Sequence, residues 1–161
     1  MKNFKLLSPK RKFVFIVSFA FTLFCLWFIF SHSAKTAVES TKQSGGFVEF
    51  FTKLLNDIFG SSLTETDVVG PVRTLAHITE FGFLAFTSSI SIEALFEKKK
   101  LYFKIIPPFI VTIASIDEIV QIFFEGRAFQ FTDILFDTTG GILGIIFLYL
   151  ILKIIYRKSE S

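Results

Sequence analysis

Between Thr112 and Gly144 the chain sets Asp117, Glu118, Gln121, Arg127, Asp133 and Asp137 inside or beside two apolar stretches long enough to cross a bilayer. Ionisable groups at such depth are expensive, and function is their default reading. The residue types suit definite chemistry. A desolvated carboxylate serves as general base or holds a cation, a histidine such as His77 moves a proton near neutral pH, and an arginine grips a phosphate as a planar fork. Gln121 follows Glu118 by three positions and Asp117 by four, so on a helix its amide reaches either one. Asp133, Asp137, Gly140 and Gly144 fall on one face of a helix, the last two as a GxxxG pair that admits close approach of another helix. Arg73, His77 and Glu80 form a second polar set at helical spacing.

The elements that must hold these groups are set by solvent. Of 161 residues, 52% are hydrophobic and 24 are phenylalanine, in blocks separated by charge. Soluble domains average about 45–50% apolar, so the composition indicates an integral membrane protein built as one domain over residues 1–161. The expected fold is all-α: a polytopic four-helix membrane bundle with an extracytoplasmic amphipathic helix between spans one and two. Spans are expected at about 13–30, 75–95, 103–124 and 133–156. The first is too long for the apolar region of a cleaved signal peptide, although Ser31 and Ser33 would suit a cleavage site. In the polar stretch that follows, Phe47, Phe50, Phe51, Leu54, Leu55, Ile58 and Phe59 recur at helical spacing, with Gly45 and Gly46 before and Gly60 after. They predict a helix over about 47–59, either lying on the membrane surface or packed on the spans. Span two is the least apolar, and Thr87, Ser88 and Ser91 share a side with His77 and Glu80, so that side should face other helices. Pro107 and Pro108 either open span three or kink it. The single Cys25 excludes an intrachain disulfide.

Basic residues fix the expected orientation. Lys2, Lys5, Lys10, Arg11 and Lys12 precede span one, Lys98, Lys99, Lys100 and Lys104 join spans two and three, and Lys153, Arg157 and Lys158 close the chain. With four spans these clusters share one side, which the positive-inside rule assigns to the cytoplasm. Both termini are then cytoplasmic. Arg73, His77, Glu80, Asp117, Glu118, Gln121, Arg127, Asp133 and Asp137 converge at the outer face. At about 1.5 Å per residue they span roughly 10 Å of depth, as an acidic pocket in the outer leaflet.

At these residues the chain resembles the VanZ-like family of small bacterial membrane proteins. The resemblance rests on FSHSAKTAVEST after span one, VRTLAHITEFGFLAF opening span two, the SIDEIVQIFFEGRAFQFTDIL core and TTGGILG in span four. It implies four spans, a Gram-positive origin and, for some members, lowered susceptibility to the lipoglycopeptide teicoplanin. By matching positions it points to Arg73, His77, Glu80, Asp117, Glu118, Gln121, Arg127 and Asp133. Asp137 departs from it, since the family leads one to expect asparagine there.

Plainer readings stand beside these. His77 equally fits an interhelical hydrogen bond, Arg73 an anchor snorkelling to headgroups, and Arg127 a structural ion pair with Asp133 or Glu125. Three function classes follow. The first is a resistance or envelope protein whose acidic pocket meets a lipoglycopeptide or a cell-wall precursor. The second is an intramembrane enzyme on a lipid-linked substrate, with Glu118, Asp117 and His77 as candidate catalytic groups and Arg127 on a phosphate. The third is a structural or partner-binding bundle. No Ser-His-Asp order, HExxH motif, phosphate loop, internal repeat or nucleic-acid patch appears. His77, Glu80, Glu118 and Asp133 are hard ligands suited to a divalent ion, but no ligand-spaced motif joins them, so no metal is assigned and no cofactor is indicated. Membrane lipid is the one expected partner beyond the ligand, and nothing speaks to oligomeric state.

Overall fold

The computed structural model describes residues 7–96 and 100–159, with only the backbone of Tyr156, Lys158 and Ser159. Lys2, Lys5, Lys98 and Lys99 of the basic clusters lie outside the described residues. Five helices make up the fold: α1 Pro9–Ser33, α2 Ala37–Phe59, α3 Glu65–Leu95, α4 Tyr102–Gln121 and α5 Phe131–Ser159. The all-α expectation holds, and the differences are in the ends.

Each shifted boundary has a local cause. α1 starts at Pro9, whose missing N–H costs nothing in a first turn, behind an N-cap Ser8 whose hydroxyl accepts from the Arg11 N–H at 3.4 Å. α2 begins at Ala37, well before the expected Phe47, because Thr36 and Glu39 form a capping box. The Thr36 N–H and hydroxyl both donate to Glu39 Oε2 at 3.0 Å, and the Glu39 N–H returns to Thr36 Oγ1 at 3.3 Å. These bonds hold the Glu39 carboxyl below its usual range. Gly45 and Gly46, expected to precede the helix, lie inside it, and Gly60 ends it at φ +61°. α3 begins at Glu65 instead of Leu75, where the Asp67 carboxylate accepts from the Thr64 N–H at 2.8 Å, and Pro71 lies within its first two turns. α4 starts at Tyr102, so Pro107 and Pro108 sit inside it and do not open it.

Three helices, Pro9–Ser33, Glu65–Leu95 and Phe131–Ile155, have the length and apolar composition to cross a membrane. α4 has the length, since 20 residues rise about 30 Å, but carries Lys104, Asp117 and Glu118. It is accommodated by burial: Asp117 and Glu118 face the bundle interior, not lipid. Around the outside, Phe13, Phe21, Trp27, Phe83, Phe147 and Ile154 are exposed, a surface suited to acyl chains.

α3 is the central helix. It runs antiparallel to α1, with Ser91 Oγ donating to Ser18 Oγ at 2.9 Å and Thr22 Oγ1 to Thr87 Oγ1 at 3.3 Å, so the polar side of span two does face a helix. It runs parallel to α5, from Arg73 beside Asp133 to Phe86 beside Phe147. There the backbones meet: a Cβ on Gly140 would fall on the Ile78 carbonyl oxygen, and one on Gly144 on that of Gly82. Gly141 is closed from the other side by Ile110 of α4, 2.7 Å from its would-be Cβ. Phe81, Leu84, Ala85, Ile110, Ile145 and Leu148 fill the core beneath.

α2 takes the packed one of its two expected placements. Val48 is buried in the fold, while Phe47, Phe50, Leu54 and Ile58 turn outward on the opposite side. The helix therefore packs on α3 and still presents an apolar face.

The glycines give a test. Gly144→Leu should lower thermal stability in detergent sharply, by roughly 3 kcal/mol if the helices separate as in an overpacked core. Gly45→Ala, with nothing within 4 Å of its Cβ, should be neutral or raise stability by up to about 1 kcal/mol. Equal melting of the two variants would contradict the close α3–α5 packing.

Candidate functional site

The two ends of the bundle differ in charge. At one, Arg11 of α1 donates to the carbonyls of Ala94, Glu93 and Phe96 at 3.0–3.2 Å, capping the C-terminus of α3, and Lys100 lies 4.9 Å from the Tyr149 ring of α5. Lys104, Lys153 and Arg157 belong to the same end. At the other end the first turns of α5, the last of α1 and α4 and the third and fourth turns of α3 bring the polar residues together.

Gln121 is the centre of that cluster. Its Nε2 donates to Asp117 Oδ2 at 2.8 Å and to Glu118 Oε1 at 3.0 Å, and its Oε1 accepts from Arg127 Nη2 at 2.6 Å and Arg73 Nη2 at 3.3 Å. The side chain is wholly buried, and both its hydrogens and both lone pairs are used. The expectation that it reaches Asp117 or Glu118 is exceeded, because one amide has two hydrogens and bonds both at once. Its dipole sorts the cluster into a carboxylate side and a guanidinium side.

The remaining bonds tie in every element. Arg73 Nη2 also donates to Asp133 Oδ2 at 3.1 Å, joining α3 to α5. His77 Nδ1 lies 2.9 Å from Asp137 Oδ1, one turn further along the same two helices. Glu118 Oε2 accepts the Gln130 backbone N–H at 2.6 Å, fixing the α4–α5 link, and Asp117 Oδ1 accepts the Ser33 hydroxyl at the end of α1. Arg127 Nη1 donates to Ser40 Oγ of α2 at 3.4 Å. The link is held from below as well: the Ala37 N–H bonds the Glu125 carbonyl at 3.0 Å. Gly126, at φ +74°, leaves a Cβ only 2.9 Å from that of Ala37, so a side chain is doubly disfavoured there.

Several sequence expectations are thereby sorted. Arg73, His77, Asp117, Glu118, Gln121, Arg127, Asp133 and Asp137 form one connected cluster. Glu80 is set apart, its direct partner being His32 of α1 at 3.4 Å. Arg73 is not a free anchor, and the expected pairing of Arg127 with Asp133 or Glu125 is not what forms. Asp133 starts a helix lying alongside α3, so Arg73 takes it, and Arg127 is left to Gln121 and Ser40. Burial also inverts the expected surface. Asp117, Glu118, Gln121 and Asp137 are at most 1% exposed, whereas the Arg73 side chain is 36% exposed, so guanidinium and not carboxylate meets the surroundings. Ser33, His32, Ser40 and the Gln130 N–H were missed. The available signal for the first two was FSHS itself, polar residues ending an apolar span at the depth of the cluster.

A cluster joined through one fully bonded amide should be intolerant at that hub. Gln121→Leu strands two carboxylates and two guanidinium hydrogens and should cost roughly 3 kcal/mol or more in a detergent melt, against little change for Ser115→Ala, whose hydroxyl only bonds its own helix at Val111.

One comparison with known proteins gives a match. The family model described as VanZ/LLP1 covers residues 15–153, which include every residue of the cluster. Neither the curated proteins nor the solved structures yield a match. By that coverage, and with helices long and apolar enough to cross a membrane, the chain belongs to the VanZ/LLP1 family.

Proposed function

We propose that this VanZ-type membrane protein handles an amphiphilic envelope ligand at the outer leaflet of a Gram-positive plasma membrane, and that it lowers susceptibility to the lipoglycopeptide teicoplanin. The observation that carries the reading is the segregation of charge: Arg11, Lys100, Lys104, Lys153 and Arg157 gather at one end of the bundle, and the buried carboxylates of the Gln121 network lie at the other. The positive-inside rule then points the network outward and both termini inward. A polar cluster with an arginine rim, beside a helix presenting Phe47, Phe50, Leu54 and Ile58, suits a ligand with an apolar tail and a charged head. A cell-wall precursor fits this chemistry as well as the antibiotic does.

One observation favours a second reading, an intramembrane enzyme on a lipid-linked substrate. Asp137 orients the His77 imidazole at 2.9 Å, the arrangement in which a carboxylate sets the tautomer of a general base.

Two experiments test the first reading. In a Gram-positive host, wild type should raise the teicoplanin concentration needed to inhibit growth, while Glu118→Gln and Arg127→Ala at equal membrane levels should not. No change with wild type removes the resistance role. For orientation, Phe129→Cys in a Cys25→Ser background should react with an impermeant thiol reagent in whole cells; labelling only after lysis would place the cluster inside.

A further inference from the structure

In the polar cluster the carboxylates are not equally provided for. Asp133 has the Arg73 guanidinium, and Glu118 has the Gln121 amide and the Gln130 N–H. Asp117 and Asp137 have no guanidinium or ammonium in contact among the described residues. Asp117 has a hydroxyl and an amide. Asp137 is fully buried, bonded through Oδ1 to His77, and its Oδ2 has no hydrogen-bond partner among the described residues. A buried carboxylate oxygen with nothing to accept is rare and needs a physical account.

His77, Asp117 and Asp137 come from three different helices, yet each offers one ligand atom lying within 4.8 Å of the other two. Ligands around a four-coordinate ion with bonds of 2.0–2.2 Å sit about 3.4 Å apart. Small side-chain movements close that difference. We propose that His77, Asp117 and Asp137 form a binding site for one divalent transition-metal ion of the zinc class. The sequence had suggested a different set, with Glu80, Glu118 and Asp133, but those three are drawn away by His32, by Gln121 with Gln130, and by Arg73.

Charge and donor type both support the assignment. Two carboxylates balance a doubly charged ion, and an imidazole among them selects a transition ion over magnesium or calcium, which prefer oxygen alone. The outer shell is in place: the Ser33 hydroxyl and the Gln121 amide both donate to Asp117, fixing the carboxylate as metal ligands are usually fixed. Three protein ligands leave a fourth position for water or for an oxygen of a bound headgroup. The site needs only the cluster itself, not the susceptibility phenotype, so the two can fail separately.

The test uses the full, untagged chain in detergent, stripped with chelator and given zinc alone. Wild type should take up about one zinc per chain and melt at a higher temperature with zinc than without. Asp137→Asn should keep its monodisperse profile but lose both the bound zinc and the zinc-dependent shift. Ser33→Ala, one step out, should bind roughly 10- to 100-fold more weakly, while Glu49→Gln on α2 should match wild type. Cobalt substituted for zinc should give visible absorption in wild type that Asp137→Asn lacks. No uptake by a well-folded wild type, or equal uptake by wild type and Asp137→Asn, would overturn the proposal, leaving His77 and Asp137 as a structural pair.

Discussion

The structure depends on the backbone contact between α3 and α5. In lipid, where burying apolar surface gains nothing between helices, association relies on van der Waals contact and interhelical hydrogen bonds, and both need short distances. Gly140 and Gly144 supply them by letting α5 rest on the carbonyls of Ile78 and Gly82. Because the two helices run parallel, a register set at the glycines is carried upward by whole turns. Arg73 then meets Asp133 and His77 meets Asp137, the same four-residue offset on each helix. A side chain at either glycine would push apart both pairs.

The second constraint is the cost of charge away from water. A guanidinium or carboxylate at this depth must be paired or lose several kcal/mol, and five helices contribute to meeting that demand. Gln121 does most of it, because a buried amide is the one neutral side chain with two donors and two acceptors pointing opposite ways. It holds two carboxylates and two arginines in one compact cluster, with the carboxylates on its nitrogen and the guanidinium groups on its oxygen. Arg73 lies at the edge of the arrangement, its side chain 36% exposed against 12% for Asp133.

The cluster also explains the shape of the loops near it. The α4–α5 link is held by the Glu118–Gln130 bond, the Ala37–Glu125 bond and the near contact of Gly126 with Ala37, so a segment without regular structure is still anchored to two helices, α4 and α2. α2 is attached to that link at its first turn and packs on α3, with Val48 buried and Phe47 and Phe50 left outward.

The sequence alone determined the all-α membrane fold class, because it follows from local properties: blocks of apolar residues, charges that are costly inside them, and helical spacing. It misjudged helix ends at Ala37 and Glu65, where side-chain caps outweighed the polar composition used to end the helices. Only the tertiary structure decided the pairings. Whether Arg73 or Arg127 takes Asp133, whether Glu80 turns to His77 or to His32, and which carboxylate oxygen is left without a donor depend on how helices distant in sequence are rotated and offset against each other. That offset comes from backbone contact at two glycines, and spacing within any one helix carries no information about it.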